Sequence, residues 1–354
     1  RADEVFDFII SECDAVAYEL PVSYKDLEED AAGGSNPETG RVTRGTALAL
    51  KARAALYHAS KLFNESGDEE LWKNAALASL NVIDYCDENG ISLGAYTDLW
   101  GTDNYKASEV IFARRVGDTA TPEYDNFPIG MENARSGNCP TQTLVDAYEM
   151  QDGGEPSITA PYAGRDPRFK MTIACNGDKW PDSNPEPLET YVGGKNGAPI
   201  SYATPTGYYL KKYLDGSIDI SAGNSTGGKR HSWIAFRLGE FLLNYAEATF
   251  RYLGSADGIC DILPMSAREA VNKVRARRGV DMPEFSEGMS NGDFWNRYKR
   301  ERMVELAFEG HRFWDVRRWK EGGFTGITRM RINKISEDLS LIHISEPTRP
   351  EPIS

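Results

Sequence analysis

Apolar residues return at steps of three and four along several stretches of the chain, the spacing that puts side chains on one face of a helix. Ala49, Ala52, Leu56, Ala59 and Phe63 follow it, and the small alanines allow a neighbouring helix to approach closely. A second helix is predicted from Asp68 through WKNAALASLNVIDYC to a stop near Gly90, with Ser66 and Glu69 at capping-box spacing. Leu238, Leu242, Tyr245, Thr249 and Tyr252 mark a third that ends at Gly254, and Ser266 with Glu269 caps a fourth that ends at Gly279. Residues 297 to 319, RYKRERMVELAFEGHRFWDVRRW, predict one amphipathic helix. In it Met303, Leu306, Ala307, Gly310 and Trp314 share the apolar face, and Arg302, Glu305, Glu309 and Arg312 form a charged stripe beside it.

The first four helices pair into two helix-turn-helix units of tetratricopeptide-like type. A single such unit cannot bury its apolar face, and stacks usually need at least about three, so two units imply further neighbours. The fold class expected is mainly α: a tetratricopeptide-like helical hairpin scaffold carrying a large loop-rich insertion. The insertion falls at about residues 117–235, where 11 of the 18 prolines and 15 of the 33 glycines interrupt regular structure. Within it FKMTIAC and YYLKKYL read as a small β-hairpin. Loops of this kind carry function more often than the scaffold does.

The 354 residues are 40% hydrophobic and 27% charged, enough for a sizeable core. A net charge of −14 argues against a nucleic-acid partner, which is held by clustered Lys and Arg. No stretch approaches the roughly 18 apolar residues of a membrane-spanning helix, so membrane association has to come from a lipid or a partner. Cys13, Cys86, Cys139, Cys175 and Cys260 lie far apart without a Cys-x-x-Cys pair, and the four histidines are scattered. Neither a metal nor another cofactor is expected.

Catalytic signatures are missing from the sequence: there is no His-Glu-x-x-His, nucleophile elbow, P-loop or strand-plus-GxGxxG unit. Glycoside hydrolysis needs only two carboxylates that meet in space, so a helical glycosidase stays as one alternative. The charged stripe of residues 302–317 reads as helix-to-helix ion pairing rather than a charged binding site, because its members lie within reach of one another. His311 reads as a packed or ion-paired member of that stripe, and Asp315, Arg317 and Arg318 as tethers for the following chain.

Sugar recognition calls for flat aromatics against the C–H face of a ring and planar polar groups around its hydroxyls. Loop 122–138 offers Tyr124, Asn126, Phe127, Asn133, Arg135 and Asn138, and loop 177–196 offers Trp180, Asp182, Asn184 and Tyr191. Trp100 with Tyr105 is a third platform. The glycan candidates are Tyr124, Asn126, Phe127, Asn138, Trp180, Asp182, Tyr191 and Trp100; the competing reading is that each aromatic pins its loop to the scaffold. Tyr57, Phe63, Phe241, Tyr245 and Trp233 read as core.

The 297–319 segment resembles the C-terminal motif of the SusD/RagB family. Residues 43–64 (TRGTALALKARAALYHASKLFN) resemble its first long helix, and 139–153 (CPTQTLVDAYEMQDG) its P-S-Q-x-x-V-D-A-Y-x-M-x-D-G segment. RDPRFKMTIACNG (165–177), TGYYLKKYLD (206–215), FRLGEFLLNYAEA (236–248) and AVNKVRARRGV (270–280) resemble further blocks in the family's order. The resemblance implies a SusD-like domain over residues 1–338, truncated at its N-terminus. It also implies a lipid-anchored protein of the bacterial outer-membrane surface that binds an oligosaccharide and partners a SusC-like TonB-dependent transporter. A scaffold for a peptide or protein ligand is the other alternative. LSLIHISEPTRPEPIS (339–354) shows no helical or strand period and resembles translated sequencing-adaptor read-through, so a fragment lacking both natural ends is expected.

Overall fold

A computed structural model describes residues 2–24, 40–101, 104–114, 116–157, 159–184, 186–221, 228–321, 328–334 and 341–347. The chain begins with helices α1 (Ala2–Ala17), α2 (Arg44–Ala59) and α3 (Glu69–Glu88). Phe6 of α1 stacks on His58 of α2 at 5.1 Å and meets Phe63 edge-on at 4.9 Å. Ala49, Ala52, Leu56 and Ala59 of α2 are all buried, as their spacing predicts. The α3 cap is Asp68 rather than the expected Ser66: Asp68 accepts the Glu70 N–H at 2.9 Å, while the Ser66 hydroxyl turns to Asn64 at 3.3 Å. A carboxylate at the N-cap gains from the helix dipole, which a hydroxyl two residues earlier cannot reach.

Strand β1 (Val110–Arg114) follows, then β2 (Asp118–Thr119), α4 (Thr121–Asn126), α5 (Gln142–Ala147), α6 (Arg168–Thr172), β3 (Ile173–Ala174), β4 (Tyr209–Leu210) and β5 (Lys229–Arg230). After β6 (Trp233–Arg237) the chain returns to helices α7 (Leu238–Leu253), α8 (Ala267–Arg275), α9 (Asn291–Glu305) and α10 (His311–Arg318), with β7 (Thr328–Lys334) and β8 (Leu341–Pro347) last. Gly254 caps α7 at φ +64°, and Ser266 and Glu269 close a reciprocal capping box on α8 at 3.2 and 2.7 Å. α8 ends at Arg275, short of Gly279, because the Arg275 carbonyl accepts from Met282 across a turn.

Two compact units result. One comprises residues 1–96, 105–115 and 232–322; the other comprises 97–104, 116–231 and 323–354. In the helical unit α1 packs on α2, α2 on α3, α3 on α7 and α7 on α8, and β1 pairs antiparallel with β6. Every residue from Leu238 to Phe250 is buried, so α7 is its central helix. Trp233, expected in the core, is 47% exposed on β6; an edge-ward strand position alternates faces, and its turn falls outward.

The single helix expected over 297–319 is two. Phe308 and Gly310 take left-handed φ values of +61° and +82°, and the chain turns between α9 and α10. The charged stripe is drawn inward beside the apolar one: Arg302 and Glu305 are buried together with Leu306 and Ala307, while Trp314 is 53% exposed. Burial of charge is tolerated only with partners. Arg302 donates to Asp315 at 2.8 Å and to Asn244 at 2.7 Å. Arg237 spans Glu109 at 2.8 Å, Glu305 at 2.7 Å and Glu309 at 2.7 Å, and Arg277 meets Glu305 and Glu109. Arg318 grips Glu247 at 2.6 Å and Asp315 at 2.9 Å, so Asp315 and Arg318 bind the helical interior rather than tethering the chain that follows. The Trp319 indole N–H donates to the same Glu247 at 2.7 Å.

The second unit is built on loops and short elements around buried aromatics, among them Phe127, Tyr148, Phe169, Tyr208 and Tyr209. β3 pairs antiparallel with β4, Ile173 opposite Leu210, so the expected hairpin contacts form over two residue pairs. β2 pairs with β5. β7 is joined to the loops by Val192 N–H to Ile332 carbonyl at 2.9 Å and Met330 N–H to Thr206 carbonyl at 3.0 Å. β8 runs antiparallel to β7, from Thr328 opposite Pro347 to Lys334 opposite Leu341. Leu341–Pro347 thus forms a strand although the sequence of 339–354 shows no strand period; residues 339–340 and 348–354 lie outside the described residues.

Candidate functional site

A sugar platform needs an aromatic face open to solvent, and three nominated aromatics do not offer one. Phe127 and Trp180 come together edge-on at 5.9 Å, both buried, and the Trp180 indole donates to the Leu210 carbonyl at 3.1 Å. Lys211 lies 5.2 Å over the Trp180 ring, and burial pushes its ammonium pKa down. Trp100 is buried against Tyr213, ring centroids 4.7 Å apart, with Lys212 4.1 Å over it. These three residues pin loops; an indole or phenyl ring gains most free energy from full burial, and that gain outweighs exposure.

Asn126 is buried as well. Its amide donates to the Pro122 carbonyl at 2.8 Å and its oxygen accepts the Asn138 side chain at 2.7 Å, which ties down both ends of loop 122–138. Asn138 itself is exposed. Tyr124 is half-buried, with the Arg135 guanidinium 4.3 Å over its ring and Asp125 3.3 Å from the same guanidinium. This stack presents an exposed fork of planar polar groups. Asp182 is exposed, held by its N–H on the Gly216 carbonyl at 3.0 Å.

Tyr191 belongs to a tight loop. Buried Asn196 anchors it: its side chain donates to Ile129 at 2.6 Å and accepts from Glu189 N–H at 2.9 Å. A Cβ at position 197 would collide with the Tyr191 carbonyl, so only glycine allows the chain to close there. Burial and the neighbouring Glu189 push the Tyr191 phenol pKa up. The loop displays Val192, Ile200 and Tyr202, and Tyr202 is 80% exposed at φ +64°. A bulky side chain in the left-handed region costs on the order of 1–3 kcal/mol and persists where surrounding structure enforces it, most often at functional sites. The Asn196–Ile129 bond joins this loop to the Tyr124 loop. Tyr202 was legible only in part: PISYATP is an aromatic in a Pro-flanked run with no apolar period, but it lacks the Asn, Asp, Gln or Arg companions that mark the Trp180 loop.

Nearby, buried Glu123 receives the Asp215 N–H at 2.9 Å and lies 3.0 Å from His231, and Asp215 is held down to about 2 against its burial by Lys229 and Ser217. Among the described residues no group of three or more His, Cys, Asp or Glu is arranged for a metal ion, and no helix is long and apolar enough to cross a membrane.

The SusD family profile matches residues 108–342. A SusD-like protein from Bacteroides fragilis NCTC 9343 superposes with a TM-score of 0.74 at 27% identity, over 98% of this chain and 65% of its own. A SusD-like carbohydrate binding protein from the same organism gives 0.69 at 23% identity, over 92% and 60%. Surface glycan-binding protein A from Bacteroides uniformis gives 0.62 at 18% identity, over 91% and 58%. The chain thus spans less than two thirds of the length of each of these. No curated protein sequence matches it. With the family profile covering 108–342 and the mainly helical architecture shared with SusD-like structures, the chain belongs to the SusD family.

Proposed function

We propose that the chain binds an oligosaccharide without converting it, on the loop surface of the second unit formed by Tyr202, Val192, Ile200 and Tyr191, with the Tyr124–Arg135–Asp125 fork and Asn138 as flanking polar groups. The observation that carries this reading is Tyr202: an aromatic ring held almost fully in solvent by a strained, glycine-closed loop. Membership of the SusD family supports it, as do solved structures described as carbohydrate binding and surface glycan-binding. Stacking contributes about 0.5–1.5 kcal/mol per aromatic beyond burial, which after association costs gives dissociation constants of about micromolar to millimolar. A glycan array with parallel assays for reducing-sugar release tests the reading: binding without product is expected, and steady product formation would contradict it.

The intact protein, in this reading, is a lipid-anchored component of the bacterial outer-membrane surface that hands its glycan to a SusC-like TonB-dependent transporter. Uptake demands such a neighbour, because a surface binder feeds a cell only if its cargo reaches a channel. An obligate contact of this kind buries on the order of 2,000 Å² or more around an apolar centre. Co-purification of the full-length protein with the transporter in mild detergent is the expected result; recovery alone, with uptake intact after deletion of the transporter, would leave a free-standing binder.

A further inference from the structure

β4 leads straight into Lys211, a half-buried lysine that no carboxylate holds. Lys51, Lys73, Lys170, Lys229, Lys299 and Lys320 each grip an aspartate or glutamate at 2.5–2.9 Å. Lys211 makes no such pair among the described residues, and its ammonium lies instead 5.2 Å over the Trp180 ring. The arrangement is fixed from both ends. The Lys211 backbone N–H donates to the Thr172 carbonyl at 2.9 Å, and the Trp180 indole is held by the Leu210 carbonyl at 3.1 Å. The carboxylate that could answer the Lys211 charge is already engaged: one oxygen of Asp178 accepts from Lys170 at 2.8 Å and the other from the Cys175 N–H at 2.8 Å. An indole face attracts a cation but supplies no counter-charge. Burial pushes the Lys211 ammonium pKa down and the neighbouring Lys170 cation adds to this, against the pull of Asp178, Cys175 and Asp182. An amine desolvated beside a second cation is the setting that makes lysine a nucleophile toward carbonyl carbon near neutral pH. Part of the side chain stays open to solvent, so a small carbonyl compound can reach it.

We propose that Lys211 is a covalent capture site for aldehydes, among them the open-chain form of a reducing sugar, which it holds reversibly as an imine. The neutral amine adds its lone pair to the carbonyl carbon, so a C–N bond forms while the C=O bond opens to a carbinolamine. The carbinolamine oxygen then leaves as water with both amine protons and the C=N bond closes; nothing is oxidised or reduced. The uncharged imine also removes the cost of keeping an unpaired ammonium half-buried. This site is separate from the Tyr202 surface and stands whether or not that surface binds glycan.

The test treats the whole chain with glycolaldehyde and cyanoborohydride, which reduces each imine to a stable secondary amine, and maps the labelled lysines by peptide mass spectrometry. At pH 7 Lys211 is expected to take label about tenfold or more faster than exposed Lys195. Its lead shrinks toward pH 10, where ordinary lysines also become neutral. Lys170→Gln removes the second cation and releases Asp178, so it slows labelling of Lys211 at pH 7 and leaves that of Lys195 unchanged, with the fold checked by circular dichroism. Glucose labels Lys211 first, more slowly than glycolaldehyde does, and methyl glucoside, which has no aldehyde, labels nothing. Equal or faster labelling of Lys195 at pH 7 overturns the proposal. So does a Lys211 lead that survives unchanged in folded Lys170→Gln, which would assign it to access alone, or labelling by glucose at other lysines first.

Discussion

His311 and Asp315 sit one helical turn apart on α10, both buried, and burial disfavours the charged form of each, which lowers the imidazole pKa and raises the carboxyl pKa. Burial pushes the His311 imidazole down to about 4, although Glu240 lies 3.9 Å away. Asp315 resists burial because Arg302 and Arg318 hold it down to about 2. A depressed histidine value means that the unfolded chain takes up a proton first, so stability falls as pH drops from about 6.5 to about 4. A depressed carboxylate value adds a further loss from about 3.8 down to about 2. The first loss amounts to about 3 kcal/mol for a fully buried group. Denaturant melts from pH 7 to pH 4 are expected to show it, and His311→Asn to flatten that window; an unchanged slope in the variant would assign the acid lability elsewhere. The loop aromatics divide in the same way by their surroundings. Trp180→Ala is expected to cost about 3–5 kcal/mol, since it empties a buried site beside Phe127, whereas Tyr202→Ala leaves the melting temperature within a few degrees. Composition could nominate both residues but could not separate them: the Trp180 indole is satisfied by a carbonyl 30 residues further along the chain, a pairing with no local signature.

Among the helices, boundaries written into short-range chemistry were readable and those set by distant partners were not. Gly254, and Ser266 with Glu269, act locally, and α7 and the start of α8 fall where these residues put them. The break between α9 and α10 was hidden because Leu306, Gly310 and Trp314 continue a four-residue period across it. What decides it is the set of arginines and carboxylates, which reaches Asn244, Glu247 and Arg237 and draws the charged stripe inward. Gly310→Ala is therefore expected to cost about 1–2 kcal/mol, the penalty of a Cβ at φ +82°. Leu306→Ala, at a fully packed position, is expected to cost about 2–5 kcal/mol. Comparing the two by chemical denaturation checks the turn: a neutral Gly310→Ala would mean that the chain can pass through this point as continuous helix.

At the scale of the molecule, the family and the mainly helical scaffold were legible because six blocks and the motif at 297–319 occur in order along one chain. The loop surface proposed for glycan was less so, because its loops are closed by Asn196, Gly197 and Ile129 across 67 residues of sequence. Ligand binding is proposed on the loop-built unit; the helical unit is held together by its buried arginine and glutamate network. Calorimetric titration of a glycan selected by array, run against the wild type and Tyr202→Ala side by side with thermal melts, tests this most directly. Micromolar to millimolar binding in the wild type, lost or weakened about tenfold in Tyr202→Ala at an unchanged melting temperature, is the result predicted. Equal glycan affinity in the two proteins would contradict it and move the binding surface off the Tyr202 loop.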